Sequence, residues 1–439
     1  LEAFDWSGFV VYRYRNTDTK IRKITHTTMK ALIKQAVVID SRSPFHNQKV
    51  DIKIENGTIT EIATTIKADK GFEVLEYENL HVSEGWFDSS VSFGEPGFEE
   101  RETIKNGLDV ASKSGFTAVA LNSNTNPVLD NQALINFVQQ KAGNHTTKLY
   151  PIAALTKNSD TQNLAELFDM KNAGAVAFGD YKKPIDNANV LKLALQYVQD
   201  FGGLVVAFSQ DKNIKGAGIV NEGETSTKLG MKGIPNLAED LQIARNLLLL
   251  EYTGGKLHIP TISTKKSVEL IKEAKAKGLI VTCSVAVHNL FFTDEAVFGF
   301  DGNFKVNPPL RSKKDVQALI KGVKNGTIDM ITSDHNPLDI EHKKLEFDKA
   351  TSGTIGLESA FGALNAILPL EVIIEKLTLS KAVFGIENNP VEVGQKANLT
   401  LFNPEGSATF SEKEILSKSK NSAFIGAKLK GKVYGVLNS

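Results

Sequence analysis

Cysteine is almost absent: the chain has one, Cys283. That excludes an internal disulfide framework and suits a reducing cytosol, so a cytoplasmic protein is expected. Histidine is scarce, with 8 in 439 residues, and no two stand at i, i+2 or i, i+4. No local metal-binding pair is therefore written in the sequence. No apolar run reaches the roughly 18 residues of a membrane span. Net charge is absent too, with Lys+Arg and Asp+Glu both at 51. The chain thus shows no electrostatic footprint for nucleic acid or an anionic membrane. No Gly-x-Gly-x-x-Gly turn follows an early strand, which counts against an open dinucleotide-binding sheet. Internal repeats and low-complexity tracts are also missing.

What is present fits a folded enzyme-sized protein. The chain is 41% hydrophobic and 23% charged, and its length suggests one large domain and a smaller one. Residues 1–28 carry Arg, Lys and aromatics without periodicity and lack the apolar core of a signal peptide. They are expected to be an extension, foreign to a working protein that begins at Met29. Ala31–Asp40, Lys49–Ile54, Thr58–Ile62 and Phe72–Leu80 read as strands, with Asn56-Gly57 as a hairpin turn. They predict a small antiparallel sheet.

From Trp86 the pattern changes to strand–helix alternation. Strand-like runs fall at Trp86–Ser89, Phe116–Leu121, Leu149–Ala154, Ala175–Phe178, Leu204–Phe208, Lys256–Ile259, Leu279–Ser284 and Met330–Ser333. Helical spacing separates them, for example over Glu99–Ser114, Asn131–Lys141, Ala238–Thr253 and Lys314–Asn325. Eight such units predict an α/β fold, a (β/α)8 TIM-type barrel. Strands return at Leu399–Phe402, Ala408–Phe410 and Ala427–Val433. The economical solution is a small β-sandwich domain formed by both termini, 29–82 and 388–439, beside a barrel over 83–387.

A series of short motifs runs through this pattern. They are Glu95-Pro96-Gly97, Asn124-Thr125-Asn126-Pro127, Gly174-Ala175-Val176-Ala177-Phe178, Asn221-Glu222-Gly223-Glu224, Ser263-Thr264-Lys265, Asn307-Pro308-Pro309-Leu310-Arg311 and Ser333-Asp334-His335. In this order and spacing the chain resembles the dihydroorotases of the cyclic amidohydrolase superfamily. The resemblance runs from about Met29 to the C-terminus. It implies the same barrel and terminal β-sandwich. It also implies metal-assisted hydrolysis of a cyclic amide, that of dihydroorotate to carbamoyl aspartate, in pyrimidine biosynthesis. Zinc would lower the pKa of a bound water from 15.7 to about 7.

Carried over residue by residue, most of that machinery is replaced. The His-x-His pair falls on Ser90 and Ser92, and the later histidines fall on Phe208 and Thr261. Asp180 stands where some members use aspartate for a carboxylated lysine, and Asp334 at the catalytic aspartate. The substrate arginine falls on Gly94, and a further substrate histidine on Leu338. Asn124 retains a substrate-contacting amide. Serine is a poor zinc ligand at neutral pH and phenylalanine is none. The expectation is a vestigial site at Asp180 and Asp334, no cofactor, and no hydrolysis. The family resemblance then implies a structural or regulatory role beside aspartate carbamoyltransferase, with homo-oligomers conceivable. An active zinc enzyme and a small-ligand sensor are the alternatives. His258 and Cys283 are expected to be core residues, and His335 a hydrogen-bonded structural histidine.

Overall fold

A computed structural model describes residues 30–438. The expected extension over 1–28, and Met29, lie outside the described residues. Eight parallel strands form the barrel: Trp86–Val91, Phe116–Leu121, Lys148–Ala153, Ala177–Phe178, Val205–Val206, Leu257–Ile259, Val281–Ala286 and Met330–Thr332. Each overlaps one of the expected runs. The ring closes where Val91 bridges His335, with the Ser92 amide donating to the His335 carbonyl at 2.7 Å. Asp88 ties the same seam, accepting from the Thr332 hydroxyl and from the Ser333 amide at 2.9 Å.

The helices also follow the sequence pattern, from Ile104–Lys113 round to Lys313–Lys324. Two more, Leu357–Asn365 and Leu370–Thr378, had no clear signal. Eight of the nine residues in the first are buried, so it has no polar face from which an amphipathic period could be read. Among the described residues, no helix is long and apolar enough to cross a membrane.

Both termini build the small β domain. Seven strands form its sheet, with Asn398–Thr409 pairing with His81–Glu84 and that strand with Lys30–Val38. The hairpin forms where Asn56 and Gly57 both take positive φ, at 51° and 77°. Gly57→Ala is expected to cost about 1–2 kcal/mol, the strain of a left-handed L-residue, measured by urea denaturation. Three expectations need correction. Phe72–Leu80 is not one strand: only Glu73–Leu75 within it is extended, and the next strand, His81–Glu84, begins after it. Both run parallel to Lys30–Val38, so the sheet is mixed rather than antiparallel. The sequence there has no tight-turn signal, and the chain crosses over instead of folding back. Likewise Leu399–Phe402 and Ala408-Thr409 lie in one strand, Asn398–Thr409, with a register shift between Asn403 and Ser407, and Phe410 falls just outside it.

Trp86 joins the two parts. Its indole is fully buried, 5.0 Å from the Phe361 ring and 5.5 Å from Phe402 of the strand Asn398–Thr409. Gly115 leaves room for it, since a Cβ there would lie 2.6 Å from the indole. Beneath it the buried Lys381 ammonium meets Glu84 at 2.6 Å and donates to the Gly85 carbonyl at 3.0 Å. These contacts hold the first barrel strand, and so the residues after it, in a rigid frame.

Candidate functional site

The residues that follow the strand ends converge on Asp334. This aspartate is buried and held at φ 48°, in the left-handed region that aspartate tolerates better than most residues. Its Oδ2 accepts from the Lys182 ammonium at 2.7 Å. Oδ1 accepts from the Tyr181 hydroxyl at 3.2 Å and from the Ser90 hydroxyl at 3.3 Å. Burial works against the Lys182 charge, but the Asp334 carboxylate outweighs it and raises the lysine pKa. Burial, aided by the same carboxylate, also raises the Tyr181 phenol. Lys182 is therefore a fixed cation inside the barrel mouth.

Asp180 does not join them. Its Oδ1 accepts from the Leu155 amide at 2.9 Å and the Thr156 amide at 3.2 Å, and its Oδ2 from the Thr156 hydroxyl at 2.5 Å. Both expected carboxylates border one cavity, yet each is committed to different partners. That cavity is lined by Ser90, Asn122, Phe208, Thr261 and His258 among others, and measures about 30 Å³. It has room for one or two waters but not for a six-membered ring.

The other expected positions are equally committed. Ser92 donates to the Asn124 amide oxygen at 3.0 Å. Asn122 donates to Ser90 at 3.1 Å and Ser92 at 3.4 Å. Thr261 donates its amide to Ser284 at 3.1 Å. A Cβ at Gly94 would lie 1.8 Å from the Phe98 carbonyl, so an arginine cannot be seated there without remaking the turn. Leu338 borders a separate cavity of about 820 Å³ outside the barrel mouth. Among the described residues, no group of three or more His, Cys, Asp or Glu could hold a metal ion.

The histidines behave as core residues. His258 pairs with Thr282 at 3.0 Å and Ser284 at 3.2 Å, and burial takes its pKa down to about 3. His335 accepts from the Gly356 amide at 3.2 Å, and burial lowers it to about 4. His288 is buried with neither nitrogen paired, and burial lowers it to about 4 as well. Burial raises the Cys283 thiol far above its ordinary range, so it is no nucleophile.

Three of the motifs meet at one buried guanidinium. Arg311 donates to Asn221 at 3.0 Å, to the Ile234 carbonyl at 2.7 Å and to Ser263 at 3.0 Å. Ser263 in turn reaches Glu239, whose pKa burial raises despite the nearby arginine. Arg311 thus fixes three loops rather than facing the cavity.

A family model described as Dihydro-orotase-like matches residues 81–267. A protein named dihydroorotase from Pelotomaculum thermopropionicum is 43% identical over 411 residues, spanning 92% of this chain and 96% of that one. The chain belongs to the dihydroorotase family. Another protein so named, from Geobacter metallireducens, is 38% identical over 410 residues, with 92% and 96% covered. Among solved structures the chain is similar to the L-hydantoinase (dihydropyrimidinase) from Arthrobacter aurescens. The TM-score is 0.81 at 22% identity, covering 94% of this chain and 96% of that one. A D-hydantoinase from Thermus sp. gives a TM-score of 0.77 at 21% identity, covering 93% and 94%. These structures are likenesses of fold.

Within that family barrel, the residues missed from sequence are Tyr181 and Lys182. Both directly follow Asp180, at the end of the fourth strand. The available signal was charge: a buried aspartate needs a cationic partner, and a lysine at a neighbouring strand end was the candidate.

Proposed function

We propose that this chain is a dihydroorotase-like protein that does not hydrolyse dihydroorotate, and that it acts as a structural or regulatory partner of aspartate carbamoyltransferase. The observation that carries this reading is the buried Lys182–Asp334 pair. A general base must be free to take a proton from water. Here the carboxylate of Asp334 accepts from Lys182, Tyr181 and Ser90 at once. An ammonium 2.7 Å from the one central carboxylate also repels any divalent ion placed beside it. The remaining donors at the expected ligand positions are two serine hydroxyls, a threonine hydroxyl and a phenyl ring, with Asp180 turned to Thr156. That set does not fit a catalytic zinc, which takes three imidazole, carboxylate or thiolate ligands and an open position. The family's place in pyrimidine synthesis supports the carbamoyltransferase as the partner.

A second reading, an active dihydroorotase, is favoured by the 43% identity to a protein of that name. One set of measurements separates the two. Protein purified without chelator is expected to carry less than a tenth of an equivalent of zinc by elemental analysis. Dihydroorotate is expected to survive incubation, and the chain to co-sediment with the host's aspartate carbamoyltransferase. Stoichiometric metal with turnover would establish the second reading. Absence of both metal and carbamoyltransferase binding would leave the hydrolytic loss standing and remove the partner.

A further inference from the structure

Lys343 is buried, with 7% of its surface exposed, and among the described residues it meets no carboxylate. The buried Lys376 and Lys381 do, with Glu375 at 2.9 Å and Glu84 at 2.6 Å. Lys343 ends the one-turn helix Ile340–Lys343, whose capping Asp339 is pinned by the Arg101 guanidinium at 2.9 Å. Its side-chain nitrogen donates to two backbone carbonyls, of Thr351 at 2.9 Å and of Lys305 at 3.3 Å. No third acceptor reaches it among the described residues. A neutral amine has two N–H groups and one lone pair, so this setting satisfies it. An ammonium has three N–H groups, and here it would lack both a third acceptor and a counter-ion, which burial makes costly. Burial is the main force against the charge. Lys305 and Lys182 add to it and Asp301 opposes it, so the pKa falls to about 7. Asp301 does not pair with the amine; it accepts from the Asn303 amide at 2.9 Å. Lys343 also borders the cavity of about 820 Å³ beside Leu338, whereas Thr351 and Lys305 do not. Its two N–H groups therefore point into the wall, and the lone pair is left on the cavity side. Phe300, Ile340 and Leu345 line the same cavity as large, exposed apolar side chains. Its volume is that of a small-molecule site.

We propose that Lys343 is a reactive amine that captures aldehydes with an apolar body in this cavity, as an imine. The neutral nitrogen attacks the carbonyl carbon, and a C–N bond forms. The carbonyl oxygen leaves as water, taking both nitrogen protons, and a C=N bond remains. Nothing is oxidised or reduced. A lysine freed of its charge by burial is the kind that forms such bonds with carbonyl compounds. The two carbonyls hold the nitrogen in place, and its lone pair needs no separate base to expose it. The apolar side chains around it favour an aldehyde that carries a ring or a chain, because that body leaves water on binding. The inference is independent of whether the barrel hydrolyses anything, since it uses neither Asp180 nor Asp334.

Reductive trapping on the full wild-type chain tests it, with benzaldehyde as the probe and cyanoborohydride to fix any imine as a secondary amine. Peptide mass spectrometry identifies the labelled lysines. At pH 7, Lys343 is expected to be labelled at least tenfold faster than an exposed lysine such as Lys321. The reactive form is the neutral one, so labelling of Lys343 should rise with pH and reach its half-maximum near 7. Acetaldehyde lacks the apolar body, and with it the preference for Lys343 over Lys321 is expected to fall at least threefold. Leu345→Ser changes an exposed side chain, and it is expected to lower the benzaldehyde preference while leaving that for acetaldehyde unchanged. Equal labelling of Lys343 and Lys321, ordinary amine chemistry only, overturns the proposal. So does a preference for Lys343 that is the same for both aldehydes.

Discussion

Lys182→Met is expected to destabilise the fold by about 3–5 kcal/mol, because it leaves a buried carboxylate without its counter-ion. Lys182 and Asp334 have only 12% and 1% of their side chains exposed, so water cannot replace the lost partner. The double variant Lys182→Met with Asp334→Asn is expected to recover most of the loss. Asparagine carries no charge and still accepts from Tyr181 and Ser90. Urea denaturation of the wild type and the three variants measures the coupling. Equal, additive losses would mean that the pair does not hold the mouth together. The pH dependence has a definite sign. The lysine pKa is raised in the folded chain, so its contribution is whole below the unfolded value of about 10.4. It is lost only as the pH climbs through the folded value.

Acid is expected to unfold the chain near pH 5. His258, His288 and His335 are buried and neutral, with pKa values held down to about 3, 4 and 4. Unfolded, each would take up a proton near pH 6.5. Between pH 6.5 and 4 the unfolded chain therefore binds more protons, and stability falls as the pH falls. At pH 5 each histidine costs roughly 2 kcal/mol by this linkage. Asp88 acts in the opposite direction: burial raises it to about 6, despite its hydrogen bonds, so acid relieves its buried charge. That returns only about 1 kcal/mol. Summed over these four groups the loss is about 5 kcal/mol, which is at the low end of an ordinary domain's whole stability. Fluorescence of the buried Trp86 against pH follows the transition. His288→Leu is the decisive variant. Its nitrogens have no hydrogen-bond partner, so the substitution is expected to preserve stability at pH 7 and lower the acid midpoint. An unchanged denaturation curve at pH 4.5 in the wild type would refute the account.

The stretch Trp86–Gly97 shows what was legible beforehand and what was not. Its strand and the serines at 90 and 92 could be read directly. The destinations of those serine hydroxyls could not. Ser90 bonds to Asp334 across 244 positions, and Ser92 to Asn124 across 32. The same division holds at Asp180. Its place just past the end of a strand followed from the pattern, but its commitment to Thr156, and the reach of the next two residues to Asp334, depended on loop geometry.

By itself the sequence determined the order of eight strand–helix units, the return of both termini to one β domain, and the residue types at the barrel mouth. Burial period and turn chemistry are local properties, carried by residues within a few positions of one another. Only the tertiary structure decided that Lys182 neutralises Asp334, 152 positions away. It alone brought three loops onto Arg311 and set Lys343 against two backbone carbonyls beside a cavity. Ion pairs and cavities depend on which elements come together, and no local periodicity encodes that.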